Sequence, residues 1–81
     1  MNVRIEMNEA SGLPFLHIDD EVLPFEDEWL ETLANAPAED GFAYLRTTLC
    51  AFDHWTDEQR LALQKAYVSI YRAAKQYVSE T

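Results

Sequence analysis

Cys50 stands four residues before His54, and Asp53 adjoins the histidine. On a helix that spacing brings a thiol and an imidazole to one face, the arrangement in which an imidazole activates a cysteine nucleophile. The surroundings argue against that chemistry. Cys50 lies in the apolar run LCAF, where cysteine behaves as a small buried hydrophobe, and His54 falls at a helix end where a cap or loop role suffices. A metal site could be drawn from His17, Asp19, Asp20, Asp53 and His54, but no two of them have a recognised ligand-pair spacing. Two His, one Cys and two Gly leave few means of building a preorganised pocket. The chain therefore reads as a non-enzyme, with no cofactor and no metal.

The carboxylates are the other chemically capable group. Seven of them, Asp19, Asp20, Glu21, Glu26, Asp27, Glu28 and Glu31, fall within thirteen residues, and Glu39 and Asp40 follow. From residue 1 to 45 eleven acidic side chains face Arg4 alone, a net −10, whereas residues 46–81 carry five basic and four acidic side chains, a net +1. Asp27 and Glu31 are four apart and Glu28 and Glu31 three apart, with no Lys or Arg placed to pair with them. Each such like-charge pair costs about 0.2–0.5 kcal/mol. Acids in the first turn of a helix recover about 0.3–1 kcal/mol each through the dipole, and an acidic surface also keeps a small protein soluble. The functional alternative is a docking surface: a concentrated negative field repels the nucleic acid backbone and attracts a basic protein, including one that itself binds DNA or RNA. Carboxylates about 5–6 Å apart along a helix could then stand in for a phosphate track.

Both groups have to be positioned by the elements around them. Thr56 to Ser79 reads as one long helix over 56–79. Thr56 and Gln59 have capping-box spacing, Asp57 and Glu58 sit in the first turn, and no Gly or Pro interrupts the following residues. Leu63, Ala66, Tyr67, Ile70, Ala74 and Tyr77 form its main apolar stripe. Leu61, Val68, Tyr71 and Val78 form a second flank, interleaved with Arg60, Arg72 and Lys75. A helix with two apolar flanks is either central to its own domain or half of a dimer interface. In the dimer reading, Leu61, Val68, Tyr71, Arg72 and Lys75 make the contact; Tyr71 and, second to it, Trp55 read either as exposed interface anchors or, the reading favoured by a small core, as amphipathic side chains covering its edge.

Ahead of that helix, Val3, Ile5 and Met7 alternate with Arg4 and Glu6 as in a strand. Asn8–Gly12 reads as a hairpin loop with Gly12 at positive φ, Leu13–Ile18 as the return strand, and Asp19–Asp20 as a turn into a short edge strand limited by Pro24. Phe25, Trp29 and Leu33 then mark a helix over 26–36, ended by Asn35 and Pro37. Phe42, Leu45, Leu49 and Phe52 mark another over 40–52, with Gly41 weakening its first turn. Residues 53–55 are too short a link for anything but a helical hairpin.

The expectation is a single domain over 1–81, α+β and helix-dominant: a hairpin or three-stranded meander over 1–25 followed by three helices, the last one long. MNVRIEMNEA has no basic region ahead of a long apolar run, and no apolar segment approaches the roughly 20 residues needed to span a bilayer. These features read as a soluble cytoplasmic protein. Small immunity, antitoxin and phage anti-defence proteins share this size, acidity and lack of motifs, a resemblance of composition only. It implies an inhibitor, in its sharpest form a DNA mimic, that docks on a basic nucleic-acid-binding protein without touching nucleic acid or membrane. The other reading is a homodimeric structural or regulatory module whose acidity serves only solubility.

Overall fold

Alternation at the N-terminus produces a three-stranded antiparallel sheet in the order β1-β2-β3, formed by Val3–Asn8, Leu13–Ile18 and Glu21–Pro24. The computed structural model describes residues 2–80. Register places Val3 opposite Ile18, Ile5 opposite Leu16, and Leu16 opposite Leu23, so one face of the sheet is apolar and is covered by helices. Arg4, His17 and Val22 align across the other face, which stays open. The first loop closes as its residue types require. Asn8 accepts the backbone N–H groups of Ala10 and Ser11 on its side-chain oxygen, and Gly12 takes φ 72°. The second turn holds Asp19 at φ 51°, where a short acceptor side chain is tolerated. There Asp19 Oδ1 accepts the Asn2 N–H at 2.8 Å, and its own N–H donates to the Asn2 carbonyl at 2.8 Å.

Four helices follow. Helix α1 spans Asp27–Asn35 and α2 spans Ala38–Ala43; α2 then continues as a wider π-helical segment over Tyr44–Leu49. The expected 40–52 helix thus begins earlier, ends earlier and changes pitch midway. Thr47 explains part of the change: its hydroxyl donates to the Ala43 carbonyl one turn back at 2.6 Å, competing with the backbone ladder. Helix α3 spans Asp57–Lys65 and opens with the anticipated capping box, in which Thr56 and Gln59 bond reciprocally at 2.9 and 3.1 Å. Helix α4 spans Tyr67–Glu80.

The single helix expected over 56–79 is therefore two helices, broken at buried Ala66. Tertiary packing overrides local propensity there. Helix α3 lies against β3 and the π-helical segment, whereas α4 lies mainly against α1, β1 and α2 and touches the π-helical segment as well, so the two halves pack on largely different neighbours. The change of direction is cheap, because Ala66 N–H still donates to Ala62 and Ile70 N–H to Ala66. The main stripe is otherwise as read: Leu63, Ala66, Ile70 and Ala74 are buried, with Tyr67 and Tyr77 packed at the core's edge. No helix among the described residues is long and apolar enough to cross a membrane.

Tyr71 corrects the second flank. It is only 6% exposed, its hydroxyl donates to the Ala36 carbonyl at 2.5 Å, and its ring lies directly over Gly41. An exposed interface anchor it is not. Trp55 is likewise buried, with its indole N–H donated to the Leu49 carbonyl at 2.8 Å. Gly41 now has a reason: a Cβ at that position would enter the space of the Tyr71 ring. Gly41→Ala would gain about 1 kcal/mol in helix propensity but incur about 1–3 kcal/mol of overpacking. The net expectation is a loss of stability of up to about 2 kcal/mol, read as a lower urea midpoint; a raised midpoint would show that the ring moves aside freely.

Candidate functional site

Eight of the nine belt carboxylates are exposed, and Glu21 is half-buried. The turn between β2 and β3 carries Asp19, Asp20 and Glu21; the start of α1 carries Glu26, Asp27, Glu28 and Glu31; the first turn of α2 carries Glu39 and Asp40. Among the described residues the ion pairs are Arg4 with Glu6, His17 with Glu6, and Arg60 with Asp57, so no belt carboxylate belongs to one. Among the described residues, Asp19 is the belt member whose carboxylate is engaged by a hydrogen bond, from Asn2.

The structure gathers part of this set and separates the rest. Asp19, Asp20 and Glu21 face Glu58, Leu61, Ala62 and Lys65 across a groove of about 290 Å³ between the β2–β3 turn and α3. Glu58 joins the acidic surface there, although its sequence position marks it only as a first-turn acid. Leu61 is 49% exposed along the same groove. Gln59 ties the two walls together by donating from Nε2 to the Val22 carbonyl at 3.3 Å. Glu26 and Glu28 act together on Tyr44. Burial pushes the Tyr44 phenol above its usual range and the Glu28 and Glu26 carboxylates push it further, against a hydrogen bond with Thr32 that lowers it. Glu39 and Asp40 lie on a different helix, beyond the turn at Pro37.

On α4, Arg72 is exposed and Val68 half-buried. Lys75 is directed inward: its Nζ donates to the Ala34 carbonyl at 3.1 Å and lies 5.3 Å from the centre of the Tyr71 ring. Of the proposed dimer contact, Leu61 on α3 and Arg72 and Lys75 on α4 are exposed, and Lys75 is the one of these three whose charge is engaged by its own chain. The Cys50 and His54 pair is split by burial. Cys50 is 5% exposed, and burial raises its thiol pKa against the lowering effect of Arg60 and Arg46, whereas His54 is exposed and stacks edge-on against Phe52 at 4.9 Å. A buried thiol with a raised pKa is a poor nucleophile.

One cluster was not legible beforehand. Phe25 and Trp29, from the start of α1, meet Phe52 and Trp55, from the link before α3, in edge-to-face contacts with ring centres 5.1–5.8 Å apart. The spacings of Phe25 with Trp29 and Phe52 with Trp55 were visible, but nothing in one sequence says that the two pairs meet. Comparison with known protein families, with characterised proteins and with solved structures found no match for this chain.

The Tyr44 environment yields a pH test. A phenol whose pKa is raised by folding binds its proton more tightly in the native state, so its contribution is present below the ordinary value of about 10 and is lost as pH rises through it. Stability should fall more steeply above about pH 10 in the native sequence than in Tyr44→Phe, as measured by thermal melts. Identical slopes would show that folding does not raise the pKa of this phenol.

Proposed function

We propose that this protein is a non-enzymatic docking module, an acidic surface that occupies the basic, nucleic-acid-handling site of a partner protein as a small inhibitor, immunity or anti-defence protein would. The observation that carries the reading is the absence of any ion pair to the nine belt carboxylates among the described residues. An exposed ion pair is worth about 0.2–1 kcal/mol, so a fold selected for stability alone has an inexpensive gain left untaken along α1. A basic partner supplies the missing cations. The field of a chain with net charge −9 also accelerates encounter with such a partner, and repels the nucleic acid that the partner would otherwise hold.

The homodimer through the long helix draws less support. Its aromatic anchor, Tyr71, is engaged with Ala36 and Gly41 of its own chain, and Lys75 is engaged with Ala34.

The test uses the folded protein as bait in a lysate of its source cells, at about 0.05 M and about 0.5 M salt, where the Debye length falls from roughly 14 to 4 Å. Basic nucleic-acid-binding proteins should be captured at low salt and released at high salt. The triple variant Asp27→Lys, Glu28→Lys and Glu31→Lys, checked for helix content by circular dichroism, should lose them. Equal capture by both forms would refute the reading.

A further inference from the structure

The aromatic cluster opens on one side into a pocket of about 190 Å³, bordered by Glu26, Trp29, Phe52, His54, Trp55 and Gln59. Two of its polar side chains are committed elsewhere. Gln59 donates to Val22 and accepts from Thr56, and the Trp55 indole N–H donates to Leu49. The guanidinium of Arg60 is turned to the carbonyls of Cys50 and Phe52 and does not border the pocket. Glu26 differs: it is exposed, it caps α1 without any side-chain cap bond, and it is in no ion pair among the described residues. What remains is partly open aromatic surface, since Trp29 and Phe52 are half-buried, with one uncommitted carboxylate beside it.

That combination fits a cation with an apolar stem. The face of an aromatic ring attracts a positive charge, tryptophan most strongly, and a carboxylate alongside fixes the charge's position. Arginine fits better than lysine. Its guanidinium is planar, stacks on rings, is weakly hydrated and can fork onto a carboxylate, whereas an ammonium holds its water more tightly. We propose that the pocket between β3, α1 and the start of α3 receives an arginine side chain from a basic segment of the partner. This deepens the docking function argued above and rests on it: the belt attracts the basic partner, and the pocket sets its register by taking one side chain.

The chain's two tryptophans both border the pocket, so they report on its occupancy. The probe is a blocked Gly-Arg-Gly-Arg-Gly peptide, titrated at low salt and pH 8, where an ordinary imidazole is neutral. Tryptophan emission is followed together with the two indole N–H and the backbone amide signals by NMR. The neutral control has citrulline in place of arginine. The expected result is a saturable change at both indoles with the arginine peptide, little with the citrulline peptide, and at least three-fold weaker binding in Glu26→Gln and in Phe52→Leu, each verified as folded by its amide spectrum. Indoles that stay still while amides of Asp27, Glu31 or Asp40 move would overturn the pocket and leave the acidic docking surface standing. Equal responses to arginine and citrulline would overturn recognition of the charge. No response at any amide would count against both.

Discussion

The Tyr71 phenol sits where three helices meet. It rises from α4, bonds the carbonyl of Ala36 just beyond α1, and covers Gly41 in α2. Loss of this part-buried hydrogen bond would cost on the order of 1 kcal/mol, and the ring fits only because residue 41 has no side chain. Phe42 extends the contact, with its ring 5.2 Å from Tyr67 and 5.3 Å from Tyr71 in edge-to-face geometry. This junction sets how α1 and α2 project from the core, and those are the helices that carry Glu26, Asp27, Glu28, Glu31, Glu39 and Asp40. The part of the acidic surface on α1 and α2 is held in place by an apolar and hydrogen-bonded joint.

Charge and packing are thus divided between different parts of the molecule. Among the described residues no charged side chain is buried, and no buried side-chain N or O atom lacks a hydrogen-bond partner. The carboxylates gain from the N-terminal dipoles of α1 and α2, at about 0.3–1 kcal/mol each, which offsets like-charge pairs costing about 0.2–0.5 kcal/mol. The offset is local to the first turn. Glu31 lies beyond the first turn of α1, close in sequence to Asp27 and Glu28 and without a cation, so it draws least from the dipole and most from repulsion. The surface is tolerated, and a partner that brings cations to it would relieve it.

Much of the architecture was legible because each local rule agreed with its neighbours. Alternation at Val3 and Ile5, the Asn8 and Gly12 loop, the Thr56 and Gln59 box and the stop before Pro37 each specify an element independently, and each is present. What escaped the sequence depended on contacts between distant segments. Nothing near Ala66 announces a break, because what distinguishes the two halves is that α3 and α4 pack on largely different, distant neighbours. The pitch change over Tyr44–Leu49 carried no reliable sign either. Tyr71 looked exposed because its partners, Ala36 and Gly41, are 35 and 30 residues earlier in the chain. For the site, the acidic residues could be named from sequence, but the union of Glu58 with the Asp19 turn and the pocket at Trp29 and Trp55 could not.

Among the described residues the belt carboxylates have no ion pair within the fold. The most direct measurement is the melting temperature of the free protein as sodium chloride is raised from about 0.02 M to about 0.5 M, a range over which screening of surface charge becomes strong. Self-repulsion predicts a melting temperature that rises with salt by several degrees, and a clearly smaller rise when Asp27, Glu28 and Glu31 are replaced by Asn, Gln and Gln. A melting temperature that is flat or falls with salt would mean that the carboxylates are already balanced within the chain, and would contradict the account.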